Sequence, residues 1–191
     1  PGDIRFKDLN SDDVLDEQDR TKIGDPWPDF VYGLSLGATW KGFDFNVFFQ
    51  GSQGNDVLNM TLRDFESGTG TMNAREGFLN RAWNGEGSTD KYHRISAEQG
   101  QNSEISDYFV EDGSYLRLKN LQLGYNFCER LLKIKGISYL RLYVSAQNLF
   151  TLTKYSGLDP EIGSSNATLN GIDQGFYPQA RTWTVGLNIK F

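Results

Sequence analysis

The sequence predicts an all-β fold, an antiparallel transmembrane β-barrel of which this chain supplies about the last five strands with long extracellular loops. Three observations predict it. Residues 181–191 alternate apolar Trp183, Val185, Leu187, Ile189 and Phe191 with Thr182, Thr184, Gly186, Asn188 and Lys190. A period of two is a strand with one apolar and one polar face, and the length matches a membrane-crossing strand of about 9–11 residues. Four more segments share the alternation. The connections between them run short, long, short, long, as in barrels with short periplasmic turns and long extracellular loops.

The first strand, 30–39, sets Phe30, Tyr32, Leu34, Leu36 and Ala38 against Val31, Gly33, Ser35, Gly37 and Thr39. Trp40-Lys41-Gly42 makes a tight hairpin into the second, 43–51, where Phe43, Phe45, Val47 and Phe49 oppose Asp44, Asn46, Phe48 and Gln50. The third, 115–127, sets Leu121, Leu123, Tyr125 and Phe127 against Gln122, Gly124 and Asn126. Leu116 and Leu118 have the opposite parity, so a bulge or face switch is expected near Asn120. The fourth, 139–149, sets Leu140, Leu142, Val144 and Ala146 against Arg141, Tyr143, Ser145 and Gln147. Residues 181–191 are the fifth. A short connection around 129–137 joins strands three and four, and long loops span 52–114 and 150–180. With the fifth strand running inward, residues 1–29 form an extracellular loop and 30–191 the barrel part.

Composition narrows the function. The net charge is -6, without a basic stripe, so no nucleic-acid partner is expected. Aromatics make up 14% and glycines number 21, a mix suited to strands and turns. Mean hydropathy is -0.53, which is compatible with barrel strands that are apolar on one face only. The one cysteine, Cys128, permits no intrachain disulfide and reads as a half-buried free thiol. The one histidine, His93, lies in a polar stretch and reads as a surface residue. The chain opens at Pro1-Gly2-Asp3 without a signal peptide, which suggests a fragment whose front part is missing.

The strongest chemical motif is acidic. Asp8, Asn10, Asp12, Val14, Asp16 and Asp19 occupy positions 1, 3, 5, 7, 9 and 12 of a calcium loop, the seventh contributing its carbonyl. Hard oxygen donors suit calcium. Asp13 stands where glycine normally permits the sharp turn, and Asp19 where a longer glutamate normally reaches in. A solvated acidic turn is the alternative. No catalytic constellation is found: carboxylate pairs such as Glu111-Asp112 lie in acidic loops, and His93 has no nucleophile elbow near it. Gly51-Ser52-Gln53-Gly54 reads as a strand-end loop. Asn166-Ala167-Thr168 fits a glycosylation pattern relevant only to eukaryotic secretion. The loop aromatics Trp83, Tyr92, Tyr108, Phe109, Phe176 and Tyr177 either pack the loops and a membrane-edge girdle or stack on sugars.

An ordered set of segments resembles SusC/RagA-type TonB-dependent outer-membrane receptors. It comprises Pro1-Gly2-Asp3-Ile4, Asp8-Leu9-Asn10, Asp19-Arg20-Thr21, Ile23-Gly24-Asp25-Pro26, Pro28-Asp29-Phe30 and Lys41-Gly42-Phe43-Asp44. It continues with Phe49-Gln50-Gly51, Gly54-Asn55-Asp56, the run from Asp112 to Asn120, Gln147-Asn148-Leu149-Phe150, Gly157-Leu158-Asp159-Pro160-Glu161, Tyr177-Pro178 and Ala180-Arg181-Thr182. The likeness covers nearly the whole chain apart from about 62–106 and 162–172. It implies a bacterial outer-membrane transporter for glycans or peptides, a SusD-like lipoprotein partner, and a TonB complex acting through a plug and TonB box absent here. It also implies that the aspartate-rich segment holds structural calcium and that Phe191 is an assembly signal. No enzyme is expected. The alternative readings are a secreted, calcium-stabilised, glycan-binding β-sandwich and, less well supported, a hydrolase.

Overall fold

The computed structural model describes residues 1–66, 72–96, 100–127, 136–163 and 166–191. Among them the strands are β1 (Phe30–Trp40), β2 (Phe43–Gln53), β3 (Asp56–Asn59), β4 (Val110–Asp112), β5 (Tyr115–Phe127), β6 (Tyr139–Gln147), β7 (Thr151–Thr153), β8 (Ile172–Asp173) and β9 (Thr182–Lys190). Two short helices, α1 (Met60–Glu66) and α2 (Phe78–Arg81), lie between β3 and β4. The chain divides into two compact units. One comprises Pro28–Asn55, Gly113–Tyr155 and Tyr177–Phe191, and the other Pro1–Trp27, Asp56–Asp112 and Ser156–Phe176.

The first unit is an antiparallel sheet in the order β1-β2-β5-β6-β9, with β7 also beside β5. These five long strands are the five predicted from alternation, with ends moved by at most two residues. Lys41 (φ 48°) and Gly42 (φ 92°) turn β1 into β2. Two successive left-handed residues make the primed turn whose twist suits a two-residue hairpin. The strand then continues through Gln53, so Gly51-Ser52-Gln53 is strand rather than loop.

The parity change in β5 is a bulge. Phe48 pairs with Asn120 and Phe49 with Leu118, leaving Lys119 as the extra residue. It returns Leu116 and Leu118 to the face of Leu121 and Leu123. The β6 side closes around it: the Asn148 N–H donates to the Lys119 carbonyl and the Leu149 N–H to the Leu118 carbonyl, both at 3.1 Å. Asn148 has φ 52°, a region asparagine tolerates better than most residues. That turn ends β6 at Gln147, two residues before the predicted end, and leads to β7.

The register aligns Leu36, Val47, Leu121, Ala146 and Trp183 in one row. Gly37, Asn46, Gln122, Ser145 and Thr184 form the next. Because each strand alternates, all five contribute one apolar and one polar face in phase. Much of the apolar face is uncovered, with Leu36 52%, Trp183 65% and Val185 72% exposed. A broad exposed apolar surface marks a contact with lipid or protein. No helix among the described residues is long and apolar enough to cross a membrane, and strands are the other way to cross one.

The second unit shows that the long connections are not structureless. It contains the sheet β4-β3-β8, antiparallel between β3 and β4 and parallel between β3 and β8. Val57, Phe78 and Phe109 are buried in it. Polar groups tie its three segments together. Glu111 accepts from the Asn59 amide and from the backbone and hydroxyl of Ser156, each at 2.8 Å. The Asp25 N–H donates to the Asp56 carboxylate at 2.8 Å, and the Asp56 N–H to the Asp25 carbonyl at 2.7 Å. Cys128 and residues 129–135 of the connection between β5 and β6 lie outside the described residues.

Candidate functional site

On the polar face of the large sheet, Asp44 of β2 and Arg141 of β6 reach across β5 and meet in a forked ion pair. Arg141 Nε donates to Asp44 Oδ2 at 2.8 Å, and a terminal guanidinium nitrogen donates to Oδ1. Such a fork satisfies both carboxylate oxygens at once. Asn126 Nδ2 adds a hydrogen bond to Asp44 Oδ2 at 3.0 Å, and the Tyr139 hydroxyl donates to Asn126 Oδ1 at 2.6 Å. The pair passes over Gly124. A Cβ there would lie 2.5 Å from Asp44 Oδ2 and 2.7 Å from the Arg141 guanidinium, so only glycine leaves room. Elsewhere this face presents mainly amides and hydroxyls, including Asn46, Gln50, Gln122, Ser145 and Thr184. Arg117 is 2% exposed, and its Nε donates to Thr151 Oγ1 at 2.8 Å.

The acidic segment is wound about its own carboxylates. Asp8 accepts from the Ser11 N–H at 2.6 Å and the Asp13 N–H at 2.9 Å. Asp19 accepts from the Leu9 N–H at 2.7 Å and the Asp16 N–H at 3.1 Å, which joins the two ends of the loop. These bonds, the one from Leu9 foremost, hold the Asp19 carboxyl below the usual carboxylate range. Asn10 Oδ1 accepts from the Asp12 N–H, Asp12 from the Val14 N–H, and Asp16 from the Gln18 N–H. Asp13 has φ 63°. It takes the left-handed backbone that glycine would otherwise provide, and aspartate adopts it more readily than most residues. The carboxylates are occupied with backbone N–H groups. Among the described residues no three His, Cys, Asp or Glu side chains are gathered as a metal site.

A third cluster was not legible as one in the sequence. His93, expected at the surface, is only 5% exposed. Its ring lies 5.3 Å from Phe78 and 5.5 Å from Tyr108, and these rings replace solvent around it. The Tyr108 hydroxyl donates to Glu66 at 3.0 Å. Burial, and then the Glu66 charge, push the Tyr108 phenol well above its ordinary range, so it remains a donor. Glu66 is 2% exposed and has Arg75 at 3.6 Å. Of the other loop aromatics, Phe109 is fully buried, Trp83 and Tyr92 are half-buried, and Phe176 and Tyr177 are exposed.

A wide antiparallel sheet with one apolar and one polar face, combined with structured long connections, matches the TonB-dependent receptor fold. No family model matches the chain. Over 197 residues it is 42% identical to TonB-dependent receptor P3 of Formosa agariphila, covering all of this chain and 19% of that protein. It is 34% identical over 200 residues to TonB-dependent receptor SusC of Bacteroides thetaiotaomicron, again over its full length and 18% of that protein. The solved RagAB peptide transporter is similar with a TM-score of 0.73 and 30% identity, over 87% of this chain and 17% of that one. The chain belongs to the family of SusC/RagA-type TonB-dependent receptors. It spans about a fifth of the length of the curated relatives it matches.

Proposed function

We propose that this chain forms part of the barrel wall and outer loops of an outer-membrane receptor that imports oligosaccharides. The uncovered apolar face shared by five hydrogen-bonded strands carries this reading: lipid covers that face, and the amide- and hydroxyl-rich face lines the interior. Neutral hydrogen-bonding groups suit a hydroxyl-rich solute. The receptor works with a SusD-like lipoprotein and draws energy from the TonB complex through parts of the protein beyond this chain. Peptides are the second reading, favoured by the likeness to a structure described as a peptide transporter. Cells with and without the full receptor, given fluorescent oligosaccharides or peptides before and after collapse of the proton-motive force, test the proposal. Receptor- and energy-dependent oligosaccharide uptake is expected. Peptide uptake alone selects the second reading, and uptake of neither ends both.

The acidic segment acts in this reading as a calcium staple for an outer loop. Support comes from the winding of the backbone about Asp8 and Asp19 and from the left-handed Asp13. Asp8, Asn10, Asp12, the Val14 carbonyl and Asp19 would hold the ion, with Asp16 acting directly or through water. Carboxylate oxygens retain lone pairs beyond their N–H bonds. The ion's role is to order the loop, and affinity of about 10⁻⁴–10⁻³ M suffices outside a cell. Replacing Asp8 and Asp12 together should loosen residues 1–29 and leave the large sheet folded. Hydrogen exchange of this segment that ignores calcium in the unmodified receptor removes the site.

Phe191 follows β9 and is 87% exposed. By alternation it continues the apolar set Trp183, Val185, Leu187 and Ile189.

A further inference from the structure

We propose that a cavity in the loop-built unit is a receptacle for one phenolic ring, the side chain of a tyrosine presented by a bound polypeptide. The cavity measures about 190 Å³, and its apolar walls are Phe65, Met72, Phe78, Leu79 and Ile95. An apolar cavity of about 150 Å³ accepts benzene, so this one has room for a single six-membered ring with a substituent. Phe78 is 1% exposed and forms the deep end, whereas Met72, Leu79 and Ile95 are 56%, 63% and 47% exposed and stand at the mouth. An apolar rim around a deeper pocket is how an interface buries an anchor side chain while its neighbours exclude water.

The two short helices build the site. The last turn of α1 supplies Phe65 and Glu66, and α2 supplies Phe78 and Leu79. The Arg75 N–H donates to the Phe65 carbonyl at 3.2 Å and ties the segment before α2 back against α1. Glu66, 2% exposed, is the one deep polar group on the lining. Its Oε2 accepts from the Tyr108 hydroxyl at 3.0 Å. Its Oε1 has Arg75 at 3.6 Å, an ion pair too long for a hydrogen bond. Oε1 therefore keeps acceptor capacity. Asp64, also on the lining, has a side chain 44% exposed and pairs with Arg63 at 3.6 Å, so it belongs to solvent.

These features select the occupant. A phenylalanine ring would cover Oε1 and give it no donor, which costs the desolvation of that oxygen. An ammonium is not called for, because Arg75 already balances the carboxylate charge. A sugar would press several hydroxyls against five apolar side chains and leave most of them unpaired. A phenol brings one apolar ring and one O–H. The ring meets Phe65, Phe78 and Met72 in aromatic and sulfur contacts. The hydroxyl donates to Oε1 in a charge-assisted bond.

Maleimide labelling of the full receptor in lipid vesicles, carrying Leu79→Cys in a Cys128→Ser background, reads occupancy at the mouth. The phenol p-cresol is the tyrosine side chain without its backbone. It should slow labelling at a concentration about tenfold below the one toluene needs, the effect of a hydrogen bond to a charged acceptor. Methyl glucoside should not slow labelling. Glu66→Gln should abolish the preference for p-cresol over toluene. Ala74→Trp fills the space from an exposed position on the lining. It should abolish protection by both ligands, a readout that stands even if the Glu66 variant does not assemble. In the complex with the lipoprotein, p-cresol that hastens lipoprotein release assigns the ring to a lipoprotein tyrosine. Protection by p-cresol that persists with the lipoprotein in place assigns it to a tyrosine of the solute. Equal potency of p-cresol and toluene, protection by neither, or protection by p-cresol that survives Ala74→Trp overturns the proposal.

Discussion

Arginine in place of Val185 is expected to cost the folded receptor about 2–4 kcal/mol if the position lies near the bilayer midplane. Val185 pairs with Val144, in a row that continues through Leu123, Phe45 and Ala38. It is 72% exposed on the face assigned to lipid. A guanidinium there must be dehydrated or must drag water and headgroups into the hydrocarbon. Arginine at Thr184, one residue away on the polar face, should cost much less. Reversible denaturant unfolding of the receptor in lipid vesicles measures both. Equal costs at 184 and 185 would remove the assignment of faces.

Breaking the Asp44–Arg141 pair should have a comparable effect. Arg141→Leu leaves the Asp44 carboxylate with little water and no cation. The expected loss is about 3 kcal/mol, the low end for a buried pair, because the side chains retain 14% and 12% exposure. Replacing both residues with leucine should recover much of that loss, since it removes the uncompensated charge with the pair. The same unfolding measurement, arranged as a double-mutant cycle, reads the coupling. Single losses that simply add would mean that the pair carries no interaction energy.

The large sheet was legible because its information is local. Alternation over 181–191 fixes both faces of β9, and the parity break between Leu118 and Leu121 betrays the Lys119 bulge. Arg141 and Asp44 are each visible as charges on a polar face. Their meeting depends on the register of two strand pairs and on the gap at Gly124, so no local pattern announces it. The loop-built unit was illegible for a related reason. Its ties join residues far apart, with 91 positions between Arg94 and Asp3 and 98 between Asn102 and Ile4. His93 misled because Lys91 and Arg94 beside it signal solvent. The rings that enclose it, Phe78 and Tyr108, come from distant positions. At Asp13 the residue type suggested a broken turn, whereas its backbone takes the left-handed conformation in place of glycine.

Spin-label accessibility along β9 tests the central claim that this sheet is a membrane wall with one face in lipid. Single cysteines at 183 through 189, in a Cys128→Ser background of the full receptor in bilayers, would be probed with oxygen and with a water-soluble nickel complex. The predicted result is a period of two: oxygen reaches 183, 185, 187 and 189 preferentially, and the nickel complex reaches 184, 186 and 188. Uniform accessibility to the nickel complex, or the same alternation in the opposite phase, would contradict it.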